Sequence, residues 1–414
     1  MISYRKSSGR EMVKYSERQA VLSHTRNLKM ARSPHAYVRG NTVKFYEWLE
    51  QQKRGALPEG PATWICGDCH VGNLGPIANS KGRIQIQIRD LDQTVIGNPA
   101  HDLIRLGLSL ASAARGSELP GVTTAHMIES MVEGYENAFE PDWDEDNNED
   151  IPESVRKVIR ESNKRTWKHL AKERIADTSP AIPIGKRFWA LEKEEKSEIH
   201  NLFEKPEIRA LATKLWSRDD DAPVSVIDAA YWMKGCSSLG LLRYAVLLAV
   251  GKQGVDLDYC LMDVKEGVWA AAPGYDNVEI PQVYGDRVVE GARNLSPYLG
   301  QRMRSGTLLE KSVFIRELTP QDLKLEVEHL TINEAIKTAK YLAMIVGRAH
   351  ARQLSREARK EWQSDLKKTR SKSLDVPSWL WSSIVSLLMS HEGGYLEHCR
   401  RYALTADQVK NNKT

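Results

Sequence analysis

The clearest alternation in the chain sets Ile84, Ile86 and Ile88 against Gln85, Gln87 and Arg89, a period of two that predicts a strand with one face inward. A tight turn at Ser80-Lys81-Gly82 precedes it, and the strand releases the chain at Asp90. Helical spacing then takes over. Residues 103–114 read as an apolar helix with Asp102 placed to cap it, and 123–139 as a second helix. Residues 10–53 read as charged helices broken at Ser33-Pro34, and 154–175 as one basic amphipathic helix. A glycine-serine turn at 234–240 opens a β-rich run over 241–250. A further turn at 251–254 leads to a strand with Lys265 near its end. A helix over 286–295 and a strand over 313–318 follow. The strongest helix covers 333–353: Thr331 and Glu334 have capping-box spacing, and Ala335, Ala339, Leu342, Val346 and Ala349 share one apolar face. An apolar helix at 379–389 and a separate final helix after His391-Glu-Gly-Gly-Tyr395 close the chain.

Composition narrows the class. A chain of 414 residues is too long for one small core and predicts two lobes. With 41% hydrophobic and 28% charged residues it is globular rather than disordered. A net charge of +4, from 59 basic and 55 acidic side chains, is too mild to argue for nucleic acid. Five cysteines give no disulfide framework. The start carries no apolar signal-peptide core, and the apolar run 239–250 is broken by Arg243 and too short to span a bilayer. The expectation is a cytoplasmic protein without a membrane partner.

Several local features admit a bland reading beside a chemical one. Lys29, Arg32 and Arg39 fit either phosphate or acidic-substrate ligands or ordinary surface charges around a turn. The acidic loop 140–153 lacks the glycine and closing glutamate of an EF-hand. Cys66 and Cys69 have CxxC spacing but no second pair to complete a zinc site, and His70 has no partner histidine.

The chemistry concentrates in residues 64–103. Asp68 stands five residues before Asn73, and Asp90 and Asp102 follow at the ends of the strand and of the next loop. Two carboxylates and a carboxamide on neighbouring loops suit Mg²⁺-assisted phosphoryl transfer. The segment GDCHVGN resembles the catalytic loop of the aminoglycoside phosphotransferase and choline-kinase branch of the kinase-like fold, whose pattern is HGDxHxxN. The segment IRDLDQTVIGNPAHDL is similar to that branch's metal loop, including the seven-residue interval from Asp90 to Gly97. The resemblance implies Asp68 as catalytic base or orienter, Asn73 and Asp90 as Mg²⁺ ligands, and Asp92 as a further metal or substrate contact. It implies structural roles for His70 and for Asp102, a buried brace of the loop. Cys66 departs from the pattern, standing where the branch has histidine.

The order of parts is unusual. A kinase-like fold places its glycine loop, phosphate lysine and connecting strand before the catalytic loop, yet only 63 residues precede Trp64 and they read as helical. The missing parts follow downstream: Gly235, Ser237, Ser238 and Gly240 as the phosphate-covering turn, Lys265 as the phosphate lysine, and the helix at 286–295 offering its partner through Glu290. Cutting the ring near residue 225 restores the order. The expected fold is therefore α+β, a bilobal kinase-like fold that is circularly permuted and carries extra helices. Residues 1–224 would hold the catalytic and metal loops in a helical lobe, 225–325 a β-rich nucleotide-binding lobe, and 326–414 helices returning to the first lobe. Over most of its length the pattern, from RSPHAYVRG through LMDVKEG and VFIREL to GRAHARQ, resembles the bacterial DUF2252 family, grouped with kinase-like folds. The implied function is ATP- and Mg²⁺-dependent phosphoryl transfer to an unidentified small molecule or protein. Adenylyl transfer on the same fold, or a catalytically silent nucleotide-binding regulator, are the alternatives.

Overall fold

Period-two apolar runs in the second half of the chain pair into one antiparallel sheet. The structure, a computed structural model, describes residues 5–7, 10–117, 119–140, 151–174, 181–215, 217–252, 257–275, 277–323, 325, 330–368, 370 and 374–411. The fold is mixed α+β. A short hairpin of β1 (Arg5–Ser7) and β2 (Arg10–Met12) leads into α1 (Tyr15–Met30), α2 (Pro34–Gly40) and α3 (Thr42–Glu50). The Ser33-Pro34 break starts α2: the Ser33 hydroxyl accepts from Ala36 N and proline takes the first turn. β3 (Thr63–Ile65), β4 (Leu74–Ala78), β5 (Ile84–Ile88) and β6 (Val95–Gly97) then form two small sheets.

The buried helix α4 (Pro99–Gly116) begins earlier than expected. Asn98 caps it by accepting from Ala100 N, so Asp102 is not the cap but sits inside the first turn, with its side chain released for other work. α5 (Gly121–Asn137) follows, and the acidic loop lies outside the described residues over 141–150. The basic segment splits into α6 (Glu153–Asn163) and α7 (Trp167–Arg174) rather than one helix. β7 (Phe188–Trp189), an edge strand of the main sheet, is followed by α8 (Lys193–Glu204) and α9 (Pro206–Ala212).

That sheet contains β8 (Val224–Trp232), β9 (Arg243–Val250), β10 (Asp258–Glu266), then, after α10 (Tyr284–Leu295) and the single turn α11 (Pro297–Gly300), β11 (Met303–Leu308) and β12 (Lys311–Leu318). Its order is β11-β12-β10-β9-β8-β7 with antiparallel pairing throughout. One face buries Tyr244, Val246, Leu248, Met262, Val264 and Ile315 against Ile199, Phe203 and Leu211 of α8 and α9, so these two helices belong with the sheet. Alternation sends Arg243, Asp263 and Lys265 to the opposite side.

α12 (Ile332–Ala351) packs across α5 and α4, and α13 (Arg356–Lys367) and α14 (Ser378–Asn411) complete the helical body. Thr331 caps α12 by accepting from Glu334 N. The two helices expected after 379 are one. Gly393 and Gly394 do not break it, because a Cβ at Gly394 would come within 2.8 Å of the Tyr37 hydroxyl and the bare glycine lets the helix lie against that ring. No helix among the described residues is long and apolar enough to cross a membrane.

Candidate active site

Antiparallel pairing fixes where the two motif-bearing loops lie. Trp64 pairs opposite Ile96 and Leu74 opposite Ile88, so the loop after β3 and the loop before β6 emerge at a common end of the strands. Arg89 N donates to Asn73 O at 2.7 Å, and Thr94 Oγ1 donates to Ile65 O at 2.6 Å. Gly67 has φ +73°, and a Cβ there would stand 2.2 Å from Gln93 O. Only glycine permits the two loops to touch at this point.

The first loop is braced by one face of α4. Asp102, fully buried, accepts from Cys66 N at 2.7 Å and Gly67 N at 2.9 Å, and lies 3.2 Å from Nε2 of His350 on α12. Three residues on, Arg105 Nε donates to Asp68 Oδ1 at 2.9 Å. Four further on, Ser109 accepts from Val71 N at 3.2 Å. Asn73 Nδ2 donates to Asp68 O at 2.9 Å, which leaves the Asn73 side-chain oxygen as a candidate ligand. Burial pushes the His70 imidazole down to about 3, against the pull of Asp68, so this histidine is neutral packing beside the loop. Cys66 and Cys69 are buried thiols rather than a redox or zinc pair. The hydrogen bond with Cys69 and burial raise the Cys66 thiol well above its ordinary value, and its Sγ donates to Asp90 O at 3.5 Å.

The second loop is held from the sheet. Lys265 Nζ, 97% shielded on its strand, donates to Asp90 Oδ1 at 3.0 Å and to Asp92 Oδ2 and Oδ1 at 2.7 and 2.9 Å. Two carboxylates share one ammonium. Burial works to raise the Asp90 carboxyl, but Lys265 and Arg316 outweigh it and hold it well below the usual carboxylate range. Burial and then the Asp90 charge raise Asp92, to about 7. Asp90 keeps 45% of its side chain exposed and Asp92 keeps 22%, so both remain open to a ligand from the cleft. Arg316 Nη1 donates to Arg89 O at 2.7 Å, and Arg287 donates to Thr94 O and, at 2.9 Å, to Asp92 O. Behind Lys265, Asp263 receives both Nε and Nη2 of Arg243 at 2.8 and 2.6 Å.

Asp68, His70, Asn73, Asp90 and Asp92 line one open cleft of about 890 Å³ together with Gly235, Ser237 and Ser238. Lys265 is buried and does not itself line the cleft, reaching it only through Asp90 and Asp92, and two further expected residues fall elsewhere. Gly240 (φ +110°) does not line the cleft and has Ser23 and Gln19 of α1 as its neighbours. Glu290 does not pair with Lys265. α10 lies directly on the loop, where a Cβ at Gly291 would meet Thr94 at 2.4 Å, and this puts Arg287 over the loop while Glu290 turns to the flank and bonds Arg293 at 3.1 Å. The Lys265 partners are Asp90 and Asp92 themselves.

Sequence reasoning missed Arg105, Arg287 and Arg316, which position the loops. Arg105 and Arg316 interrupt apolar runs, a signal that marks a residue held by a partner, whereas Arg287 follows Asp286 in a polar stretch and carries no such signal. The donor set of Asp90, Asp92 and Asn73 is all oxygen. It suits Mg²⁺, which takes one or two carboxylates and fills its shell with phosphate oxygens and water. Among the described residues no group of three or more His, Cys, Asp or Glu is placed to hold a metal ion.

Comparison with curated proteins gives no match, and comparison with solved structures gives none. A family described as an uncharacterized protein conserved in bacteria matches residues 18–401. Over that span, nearly the whole length, the chain belongs to the DUF2252 family.

Proposed function

We propose that this protein is an ATP- and Mg²⁺-dependent phosphotransferase on a circularly permuted kinase-like fold. One observation carries the reading: Lys265 bonds Asp90 and Asp92 across 175 and 173 positions of sequence, although neither motif alone requires the other. Phosphoryl transfer in kinases needs a third-strand lysine, a metal-binding aspartate, a catalytic-loop asparagine and an aspartate for the acceptor hydroxyl, all on one cleft. Lys265 stands on β10, the third strand counted from β8, and the glycine-serine turn joins β8 to β9; the short edge strand β7 comes before this set. The permutation is supported at its joint. Gln353, just past α12, accepts from Trp64 N at 2.9 Å and donates to Trp64 O at 3.2 Å, so the helix that would lead into the catalytic loop ends against it.

Asp68 would orient the acceptor hydroxyl. Arg105, fully buried, fixes one of its oxygens and leaves the other facing His70 and the cleft. The acceptor oxygen would bond to the γ-phosphorus as the bond to the β-phosphate oxygen breaks. ADP leaves, and the hydroxyl proton passes to Asp68 or solvent. Mg²⁺, held by Asp90 and Asn73 with Asp92 beside them, would neutralise charge on the phosphates. Lys265 is close enough to both aspartates to exchange one of them for a phosphate oxygen. The test is product analysis with ATP labelled at the α or the γ phosphate, with Asp68→Asn as control. Transfer of γ label by the wild type, lost in the variant while nucleotide still binds, is expected. Transfer of α label would replace phosphoryl by adenylyl chemistry, and binding without transfer of either would leave a regulator.

A further inference from the structure

The cleft carries more positive charge than a nucleotide and its metal require. Six cations line it, Arg26, Lys29, Arg32, Arg39, Lys234 and Arg243, against three carboxylates. Those carboxylates are engaged: Asp68 with Arg105, and Asp90 and Asp92 with Lys265. Arg243 is taken up by Asp263. Among the described residues, Arg26, Arg32 and Arg39 have no carboxylate within ion-pair distance, and Lys29 reaches only the carbonyl of Gly235 at 3.1 Å. The Nε atoms of Arg26 and Arg39 are buried with no hydrogen-bond partner. Buried unpaired guanidinium N–H groups are costly, and a missing ligand is one accepted explanation for them.

These four side chains converge. α1 supplies Arg26 and Lys29, Arg32 follows its end, and α2 brings Arg39 onto Gly72, where an added Cβ would meet the guanidinium carbon at 2.9 Å. All four line the same cleft, and Lys29 reaches the glycine-serine turn directly at Gly235 O, 3.1 Å away. Burial raises the Cys236 thiol in that turn, and Lys29, Arg39, Arg26 and Arg32 each draw it back. The array therefore spans from the turn to the catalytic loop, on the Asp68 side of the Lys265 cluster. A tetrahedral dianion matches such convergent arginine forks.

Building on the phosphotransferase reading, we infer that the acceptor is a small molecule that already bears a phosphate group, held by Arg26, Lys29, Arg32 and Arg39 so that its free hydroxyl reaches Asp68. The volume of about 890 Å³ is in the range of small-molecule clefts. Among the described lining residues its only carboxylates are Asp68, Asp90 and Asp92, which the proposed reaction itself uses, so none is left to receive a polycationic acceptor.

The experiment is calorimetric titration of inorganic phosphate into the full chain, alone and saturated with Mg²⁺ and AMP-PNP, for the wild type, Arg26→Gln/Arg39→Gln and Arg32→Gln. Phosphate should bind the nucleotide-loaded wild type at one site. The double variant should weaken it at least tenfold and the exposed Arg32→Gln a few-fold, with AMP-PNP affinity changed less than twofold in both. Circular dichroism of both variants checks that each is folded, and the exposed Arg32→Gln keeps the inference testable where the double variant is not. Phosphate binding that vanishes once AMP-PNP is present would assign the cations to the nucleotide and overturn the inference. So would phosphate binding untouched by the substitutions. AMP-PNP failing to bind the wild type would sink the phosphotransferase reading itself, a result distinct from nucleotide binding without a phosphate site.

Discussion

The two loops of the cleft carry the same kind of residue and are held in opposite ways. The loop around Asp68 is built into the helical body: Asp102, Arg105 and Ser109 bond it from one face of α4, and His350 closes the set from α12. The loop around Asp90 is tied to the sheet and α10 by Lys265, Arg316 and Arg287, more than 170 residues away in sequence. The first arrangement is mostly buried and bonded from two helices, so it sets geometry. The second leaves two part-exposed carboxylates on one ammonium, so it is the half with bonds to exchange for a ligand.

If that contrast is right, damage should sort by loop. The largest effect falls on Asp102→Ala, which removes the acceptor of two buried N–H groups and should cost about 3–5 kcal/mol in urea unfolding. A loss below about 1 kcal/mol would mean the first loop holds itself without α4.

Acid should act next, and on the same side. His70 is held neutral with its pKa near 3, below an unfolded value of about 6.5, so the unfolded chain binds the extra proton and stability falls as pH drops through that window. His101 and His391, both pushed down to about 4, add to the same slope. Each contributes a loss on the order of 2 kcal/mol by pH 5, and His70→Gln should flatten the unfolding midpoint against pH by one such share. Asp90, held low by Lys265, stays ionised in the fold and adds to the slope only below about pH 5, where the unfolded carboxyl takes up a proton. Asp92, raised to about 7, binds its proton first in the folded state and opposes the histidine slope.

Lys265→Met should cost only about 1 kcal/mol of stability at neutral pH, because the carboxylates it leaves are partly solvated. It should nonetheless abolish Mg²⁺-dependent transfer, and a variant that unfolds outright would put Lys265 among the structural residues. The smallest effect belongs to Glu290→Ala, within about 0.5 kcal/mol in stability and unchanged in activity, since the side chain touches only its own helix. Loss of activity there would restore it as a partner of Lys265.

Much of this contrast was legible in the chain because periodicity reports burial. The alternation at 84–88 and the apolar face of α12 each became the element they predict, since both pack on one continuous core. Motif spacing brought Asp68, Asn73 and Asp90 to one cleft because the β4–β5 hairpin that joins their loops fixes the distance. What could not be read were the supports. Asp102 has the residue type and position of a cap, but Asn98 before Pro99, four residues earlier, is the stronger signal and starts the helix. Glu290 was chosen by chemistry, yet the turn of α10 is set by Gly291 against Thr94, a close contact with no periodic signature. Lys29, Arg32 and Arg39 carried the same pattern as any charged helix surface, and only the position of α1 and α2 beside the glycine-serine turn distinguishes them.

On the proposed function, Asp90 gives up its share of Lys265 and binds Mg²⁺ together with ATP. Thermal and urea unfolding of the wild type and Asp90→Asn, each with ATP in the presence and absence of Mg²⁺, tests it directly. ATP with Mg²⁺ at about 100 times its Kd should stabilise the wild type by roughly 2.7 kcal/mol. Asp90→Asn, or removal of Mg²⁺, should erase most of that gain. A folded wild type that gains nothing from millimolar ATP and Mg²⁺, or an Asp90→Asn protein that gains as much, would contradict the account.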